Sequence, residues 1–443
     1  MAYDTASRRY TVAELFCGCG GFSRGFVRSG RFKVVLGNDI KKAALRTFAF
    51  NHSIAGEEPV TLPDDIRKIP ATDVIRALER RGIGVGELDC LIGGPPCQGF
   101  SQLRRSEERQ DNRIVRFSGY NRLAQDPRND LVLRFLELAA ELQPKVIVIE
   151  NVPQLLRHAH NGVIGGLFEN VKEVLGDMGY SVDVATLNAA NYGVPQLRER
   201  VFILASRFGK ASFPDPSHSD PEVRGLFDSR RPWVTVSDAI GDLPLAPGAV
   251  DDLGGGPLSL YRGDVEASEY ATALRSSTTF PFNHVTRRYS PQIIRLIQQM
   301  QPGETWDHAS ARMQMHYQQL VERNQKPGED PEATMSRLEQ NGLLDRAFYR
   351  RYYWSAYTRL AWTRPALTIT ANANFLGSGR FTHPEADRGI TMREAARLQS
   401  FDDDFRFITS PDGSVVTTNI GVGLDMIGCL LYTSDAADDL TRV

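Results

Sequence analysis

Long apolar runs and a surplus of basic charge are both absent from this sequence of 443 residues. No segment approaches the ~20 apolar residues that a membrane-spanning helix needs, and the N-terminus lacks the basic-then-apolar pattern of a signal peptide. The formal net charge of -2 gives no global sign of nucleic-acid binding, although a balanced total can hide a local basic face. We therefore expect a soluble, cytoplasmic protein with no membrane partner.

Cysteine is also scarce, and the number and spacing of the cysteines argue against a disulfide-stabilised domain and against a zinc-stabilised domain. The five cysteines are odd in number, and neither Cys17-x-Cys19 nor the others show the spacing of tetrahedral zinc ligands. The histidines show no ligand spacing either. We expect a reducing setting, no disulfide scaffold and no metal site.

The first half of the chain contains a regular alternation of apolar and helical segments. The strand candidates are residues 10–16, 34–39, 88–94, 145–151 and 200–207, and the clearest helix candidate spans 129–142. Residues 171–188 would add to the same sheet, with an antiparallel strand at its edge. This alternation predicts an α/β fold with a doubly wound, mostly parallel sheet.

A change in character predicts a second, smaller and irregular domain. From about residue 208 the chain is rich in proline, glycine, arginine and aromatics, with little alternation, until a strand and a helix candidate follow in 364–374 and 390–401. The predicted division is a first domain over 1–207, a second domain over 208–363, a return segment over 364–428 and a non-native tail over 429–443.

The glycine-rich turn FCGCGGFSRGF (16–26) follows the first strand. Its glycines allow a close approach of backbone to ligand, and the next helix presents its amino end to an anion. The spacing does not match the dinucleotide signature, and such a turn is often purely structural. Asp39, at the end of the second strand, can bond ribose hydroxyls or cap the helix that begins near Lys41, and both interpretations stay open. Asp65 and Ile66 could similarly meet an adenine ring.

Three further positions carry reactive or charged groups at predicted strand ends. In GGPPCQGFS (93–101) the thiol of Cys97 is presented behind two prolines, where a thiolate could act as a nucleophile. Glu150 follows the apolar run KVIVI, so its carboxylate lies at a neighbouring strand end. Arg198 and Arg200 alternate along QLRER and so face one side together. A buried cysteine, a helix cap and ordinary surface charges are the structural alternatives.

Taken in order, these stretches resemble the motifs of the DNA cytosine-5 methyltransferases. The matching segments are ELFCGCGGFSRGF, GGPPCQGFS, ENVPQLL, QLRERVF and REAARLQSF, which cover most of residues 1–205 and then 364–421. The resemblance implies an S-adenosylmethionine-dependent methyltransferase fold and methyl transfer to a cytosine flipped out of double-stranded DNA.

The resemblance also implies a role for each candidate residue. Cys97 would be the nucleophile, Glu150 the carboxylate that holds and polarises the cytosine, and Arg198 and Arg200 the lining of its pocket. S-adenosylmethionine would be held by Phe16, Gly18, Gly20, Gly21, Asp39, Asp65, Ile66 and Pro96. Gln98 and Ser101 would shape the active-site loop on the substrate side.

The same resemblance extends to partners. Residues 101–125, in which arginines outnumber acidic residues, are expected to close over the DNA, and the second domain is expected to recognise the target sequence. Arginine and aromatic residues interleave in 284–290 and 345–362, a pattern that suits contact with DNA but also ordinary packing. We expect a monomer that functions alongside a cognate restriction endonuclease.

Three other functions are weighed against this interpretation. A tRNA cytosine-5 methyltransferase would share the chemistry, but its cysteine-phenylalanine-threonine signature is absent from the second domain. A non-catalytic DNA-binding relative would not need Cys97, Glu150, Arg198 and Arg200 together. A nicotinamide-dependent oxidoreductase explains the sheet and the glycine-rich turn but not a cysteine after Pro-Pro. The sequence departs from the family pattern after Gly421, which puts one wall of the cofactor pocket in doubt.

Overall fold

A seven-stranded sheet forms the centre of the protein. The structure, a computed structural model, describes residues 8–96, 107–110, 113–116, 130–157, 165–210, 212–246, 248–249, 260–275, 281–350, 352, 355–410 and 419–428. The strands are β1 (Tyr10–Leu15), β2 (Phe32–Asn38), β3 (Val60–Leu62), β4 (Cys90–Gly93), β5 (Val146–Asn151), β6 (Ser181–Asn188) and β7 (Glu199–Ser206). Their order across the sheet is β3-β2-β1-β4-β5-β7-β6. All neighbours are parallel except β7, which runs antiparallel to β5 and β6.

Helices accompany this sheet and continue beyond it. They are α1 (Gly21–Arg28), α2 (Lys42–His52), α3 (Ala71–Glu79), α4 (Asp130–Leu142), α5 (Gly166–Asp177), α6 (Val236–Ile240), α7 (Glu269–Leu274), α8 (Pro291–Gln298), α9 (Trp306–Asn324), α10 (Pro331–Gln340), α11 (Met392–Arg397) and α12 (Ile420–Gly428). Single turns of 3₁₀ helix span Pro153–Arg157, Ala189–Tyr192, Arg346–Tyr349 and Leu376–Ser378. Across the described ranges, no helix is both long and apolar enough to cross a membrane.

Short strand pairs connect the remaining segments. Glu107–Gln110 pairs antiparallel with Arg113–Arg116, and three parallel pairs join His218–Ser219 to Arg231–Pro232, Gly248–Ala249 to Val285–Thr286, and Gln196–Leu197 to Ala366–Leu367. The last pair brings the predicted return strand back beside the stretch that leads into β7. Residues 366–367 of the predicted return segment thus lie beside the stretch that leads into β7, in a regular pairing only two residues long.

The buried side chains form three main clusters. The first lies between the sheet and helices α3, α4 and α5, with Leu36, Phe135 and Leu175 fully buried. The second joins α6 to the segment 366–427, so the return segment packs against residues that the sequence assigned to the second domain. The third is the core of α8 to α10, where the rings of Trp306 and Phe348 stack with centroids 5.2 Å apart. Some aromatics of the 345–362 stretch therefore serve packing.

The predicted doubly wound α/β fold is confirmed, with one correction at the sheet edge. The antiparallel strand does not form the edge but inserts as β7 between β5 and β6. The physical reason is connectivity, because β6 ends at Asn188 and the chain turns back directly, so that Glu199 pairs with Asn188. The returning strand thereby covers the free side of β5.

Candidate active site

The described candidate residues lie at one end of the sheet, after the carboxyl ends of the parallel strands and at the amino end of antiparallel β7. Strand order changes direction between β1 and β4, the position at which open α/β sheets bind ligands. Leu15 pairs with Gly93 at this point, which sets Phe16 beside the segment that leads to Cys97. The absence of a side chain at Gly93 permits the close approach, because a Cβ there would lie 2.6 Å from the Leu15 carbonyl oxygen.

Glu150 is a carboxylate buried at the end of β5, with 1% exposure. Its Oε1 lies 3.2 Å from Arg200 Nε. Burial raises the pKa of Glu150 to about 7, although Arg200 and Arg198 oppose this shift by stabilising the charged form. Neither carboxylate oxygen accepts a hydrogen bond from any described residue. The site thus presents open acceptor positions on a group that readily carries a proton at neutral pH.

Strand register brings the two arginines to Glu150. Phe202 pairs directly with Glu150, so Arg200, two residues earlier, extends from the same face of the sheet. Both arginines are buried: Arg198 Nη1 donates to the Ile369 carbonyl at 3.2 Å, and Arg200 Nη1 donates to the Glu199 carbonyl at 2.7 Å. Arg198 and Arg200 both lower the pKa of Glu150 by their charge; that they face one side together stays a prediction.

Two amide side chains hold this arrangement, and the sequence analysis gave neither a role. Asn151 Nδ2 donates to the Pro95 carbonyl at 3.1 Å, which ties the end of β5 to the segment before Cys97. Gln196 Nε2 donates to the Leu398 carbonyl at 3.1 Å, and its Oε1 accepts from Ile369 N at 3.3 Å. In the sequence, Asn151 follows Glu150 directly and Gln196 is the first residue of QLRER. These positions could have indicated their role. Pro96 is half-buried, whereas Cys97, Gln98 and Ser101 lie outside the described residues.

The glycine-rich turn adopts a left-handed backbone at several positions. Phe16, Gly18 and Gly20 have φ values of 56°, 52° and 89°. For Phe16 this conformation is unfavourable, and such outliers cluster at ligand-binding sites. Helix α1 then begins at Gly21 with no hydrogen bond from the side chain of its N-cap residue, while the Ser23 N–H in its first turn donates to Glu14 Oε2. This helix start, next to a half-buried aromatic ring, suits a ligand that has an anionic group and a flat apolar part.

Asp39 performs the structural role that the sequence left open. Its Oδ2 accepts from Gly18 N at 2.9 Å, and its Oδ1 accepts from Lys41 N at 2.8 Å. The carboxylate therefore ties the glycine-rich turn to the start of α2. Ile40, next in the chain and 67% exposed, adds an apolar surface that the sequence analysis did not single out.

Asp65 and Ile66 both make contacts within the protein that the sequence did not indicate. Asp65 Oδ2 accepts from Arg67 Nη2 at 2.6 Å, and this bonding lowers the pKa of Asp65. Ile66 is 2% exposed and its side chain packs in the core beneath the sheet. Ile66 thus anchors the segment that carries Asp65 after β3.

These features match one group of known proteins. A family profile of C-5 cytosine-specific DNA methylases matches residues 10–424. The chain belongs to the C-5 cytosine-specific DNA methylase family. This membership makes the methylase an enzyme that acts on cytosine in DNA, and it argues against the nicotinamide-dependent and non-catalytic alternatives. It also favours DNA over tRNA as the substrate.

Individual relatives agree with the family. The type II methyltransferase M.AgeI of Thalassovita gelatinovora is 31% identical to the methylase over 438 residues, covering 89% of this chain and 92% of that protein. The type II methyltransferase M1.HphI of Haemophilus parahaemolyticus is 30% identical over 402 residues, covering 90% and 79%. A crystal structure from E. coli, described as a candidate DNA modification methyltransferase encoded within a prophage, has a TM-score of 0.58 at 21% identity and covers 98% of this chain and 97% of that one. This structural likeness supports the fold.

Proposed function

We propose that this methylase transfers a methyl group from S-adenosylmethionine to carbon 5 of a cytosine flipped out of double-stranded DNA, with Cys97 as a covalent nucleophile. The observation that carries the proposal is Glu150, a buried carboxyl group with open acceptor positions and two arginines beside it. It lies at the same sheet edge as the glycine-rich turn. A flipped base brings the ring nitrogens that such a group can bond.

Cys97 solves the central chemical difficulty of the reaction. Carbon 5 of cytosine is a poor nucleophile, so it does not attack a methyl donor directly. The Cys97 thiolate adds to carbon 6, forming a carbon–sulfur bond and moving an electron pair toward carbon 5. Carbon 5 then bonds the methyl group as the donor's carbon–sulfur bond breaks and the demethylated thioether leaves; a base removes the carbon 5 proton, the double bond re-forms and the thiolate leaves carbon 6. The enzyme is returned to its starting state.

Glu150 makes the addition to carbon 6 easier. With its pKa raised by burial, the carboxyl group can hold a proton at ring nitrogen 3 while electrons flow into the ring. Arg200 and Arg198 counter the charge that forms when Glu150 ionises and keep its carboxylate in place. A polar site of this kind favours cytosine over a base that lacks a matching hydrogen-bond pattern.

The turn after β1 fits S-adenosylmethionine, which supplies an electrophilic methyl group. The amino end of α1 at Gly21 suits the carboxylate of the methionine part. Phe16 and Ile40 offer apolar surface for the adenine, and Asp39, beside Gly18, can accept from a ribose hydroxyl with its remaining lone pairs. Asp65, Gly20 and Pro96 complete the proposed set, and Ile66, whose side chain is buried in the core, would contribute through its backbone.

The partners of the reaction are proposed on the same basis. Residues 1–207 and 364–428 would form the catalytic part and residues 208–363 the target-recognition domain, with 429–443 a non-native tail. Residues 101–125 would contact the DNA around the flipped base. The type II methyltransferases among the relatives support a cognate restriction endonuclease as a functional partner. We propose a monomeric enzyme in the cytoplasm, where the buried cysteines Cys17, Cys19 and Cys90 stay reduced.

The test is methyl transfer from tritiated S-adenosylmethionine to genomic DNA and, separately, to total tRNA. Wild-type protein should label DNA, and Cys97→Ser should abolish the label while still binding the cofactor. DNA that carries 5-fluorocytosine at the mapped site should trap a denaturation-resistant adduct with wild type only, because fluorine cannot leave as the proton does. Label on tRNA alone, or label that survives Cys97→Ser, would overturn the proposal.

A further inference from the structure

A buried polar chain lies directly beneath the glycine-rich turn, and the mechanism above does not use it. It links Ser23, in the first turn of α1, to His52, the last residue of α2. Ser23 Oγ lies 3.0 Å from His52 Nε2, and His52 Nδ1 lies 2.9 Å from the Phe48 carbonyl oxygen. Ser23 is 0% and His52 3% exposed. Both polar groups are thus removed from water and bonded to each other.

The partners determine the direction of these hydrogen bonds. A carbonyl oxygen only accepts, so the Phe48 carbonyl requires the proton on His52 Nδ1. His52 Nε2 is then an acceptor for the Ser23 hydroxyl, whose Oγ also lies 3.2 Å from the Gly20 carbonyl oxygen in the turn itself. Burial lowers the pKa of His52 to about 4, which agrees with a neutral ring at physiological pH. The Ser23 backbone N–H donates in turn to Glu14 Oε2 in β1 at 3.3 Å.

The imidazole ring of His52 also packs against the glycine-rich turn. Gly20 has a left-handed backbone, with φ 89°, and a Cβ at this position would lie 2.3 Å from His52 Cε1 and 2.8 Å from Phe48 Cδ2. The Gly20 N–H donates to the Cys17 carbonyl at 2.8 Å, which closes the turn above the ring. The turn therefore packs against His52, and the hydrogen bond between Ser23 and His52 links the two further.

We infer that His52 and Ser23 are positioning residues for the cofactor, holding the glycine-rich turn and the amino end of α1 in the geometry that binds S-adenosylmethionine. The inference rests on the proposed function, because it assumes that this turn binds the cofactor. His52 comes from a different β-α unit than the turn, so its contribution is tertiary. Neither residue touches reacting atoms.

The test compares S-adenosylmethionine binding by calorimetry among folded variants of the full chain. Ser23→Ala removes the hydroxyl proton and should weaken cofactor binding by about 10-fold, which corresponds to about 1.4 kcal/mol. KM for the cofactor should rise by a similar factor, and kcat should fall less. Ser355→Ala, a serine at 0% exposure in another part of the fold, is the matched control and should leave cofactor affinity unchanged.

Two substitutions at His52 separate positioning from simple packing. Gln places an acceptor near the former Nε2, whereas Asn retains only a donor near the former Nδ1. We expect His52→Gln to bind the cofactor more tightly than His52→Asn and to approach wild type. Wild type that binds no S-adenosylmethionine would refute the proposed function itself. Wild type that binds, with Ser23→Ala and both His52 variants folded and equal to it in affinity, would overturn the inference alone.

Discussion

At the scale of single residues, burial determines what Glu150 can do. The same carboxyl group in water would be ionised at neutral pH and would only accept hydrogen bonds. At 1% exposure its pKa rises to about 7, so it exchanges a proton under the conditions in which the enzyme works. The nearby arginines prevent a larger shift. A carboxyl group of this kind can both donate to and accept from one face of a base.

This gives a pH prediction for methyl transfer. Because the pKa of Glu150 is raised, its protonated form dominates below about pH 7 and is lost as the pH rises through that value. We expect the single-turnover rate to fall above this pH, because protonated Glu150 is lost. At lower pH the rate should also fall, because the Cys97 thiol is protonated. Glu150→Gln should lower the rate by about 10²–10⁴-fold.

The measurement is the pH profile of single-turnover transfer at saturating cofactor and DNA. Glu150→Gln cannot titrate, so its residual activity should follow the thiolate alone and rise with pH without a descending limb. A wild-type profile that keeps rising well above the pKa of Glu150, or a Gln variant with near-normal rates, would contradict the role given to this residue.

At the scale of elements, the contact of β1 with β4 brings the glycine-rich turn close to the segment that leads to Cys97. Each strand delivers its next residue to the same edge because the two run parallel with Leu15 opposite Gly93. The close fit depends on the missing side chain of Gly93, since Leu15 O and Phe135 Cε2 would lie 2.6 and 2.8 Å from a Cβ. A backbone atom cannot move aside as a flexible side chain can.

Gly93→Ala should therefore destabilise the fold by about 1–3 kcal/mol through overpacking. Gly176→Ala is the matched control, because Gly176 lies in α5 with nothing within 4 Å of its would-be Cβ. The control should be neutral or stabilising by about 0.4–1 kcal/mol. Urea denaturation of both variants measures the difference, and equal stabilities would disprove the tight β1–β4 contact.

At the scale of the whole molecule, buried arginines connect segments far apart in the chain. Arg397 in α11, at 0% exposure, bonds Asp403 through Nε at 2.9 Å and Nη2 at 2.6 Å, and it also pairs with Asp242 after α6. Burial by itself would raise the pKa of Asp403, but the bonds from Arg397 hold it below its ordinary value. The second cluster of the core is thus held by ionic as well as apolar contacts.

Arg397→Met should cost about 3–5 kcal/mol of unfolding free energy, because two buried carboxylates lose a fully buried guanidinium that their remaining partners, Arg275 at Asp242 and Arg393 at Asp403, replace only in part. A carboxyl group with a lowered folded-state pKa stabilises the fold above its unfolded pKa of about 3.9, and this stabilisation is lost as the pH falls through the folded value. The gap between wild type and variant should narrow with acidification. Arg364→Met, at an exposed pair with Asp220, should cost no more than about 1 kcal/mol. Equal losses at both sites would refute the argument.

Much of the fold and part of the site follow from local patterns. The apolar runs that became β1, β2, β4, β5 and β7 lie within a few residues of their predicted bounds, since side-chain periodicity is a property of neighbours in the chain. The same holds for Glu150, which is recognisable as a carboxylate at the end of an apolar strand. The insertion of β7 between β5 and β6 was not predictable, because it depends on which side of β5 is left unpaired by the other strands of the folded sheet.

The sequence by itself determined the chemical groups and the order in which the chain supplies them: a turn that needs glycine, a thiol, a carboxyl group and two guanidinium groups. Only the tertiary structure decided how each group is held. Asp39 binds Gly18, Gln196 binds a carbonyl 202 residues away, and His52 supports a turn from another unit. Hydrogen-bond partners and burial arise when distant segments meet, and these contacts set the pKa of Glu150 and the shape of the glycine-rich turn.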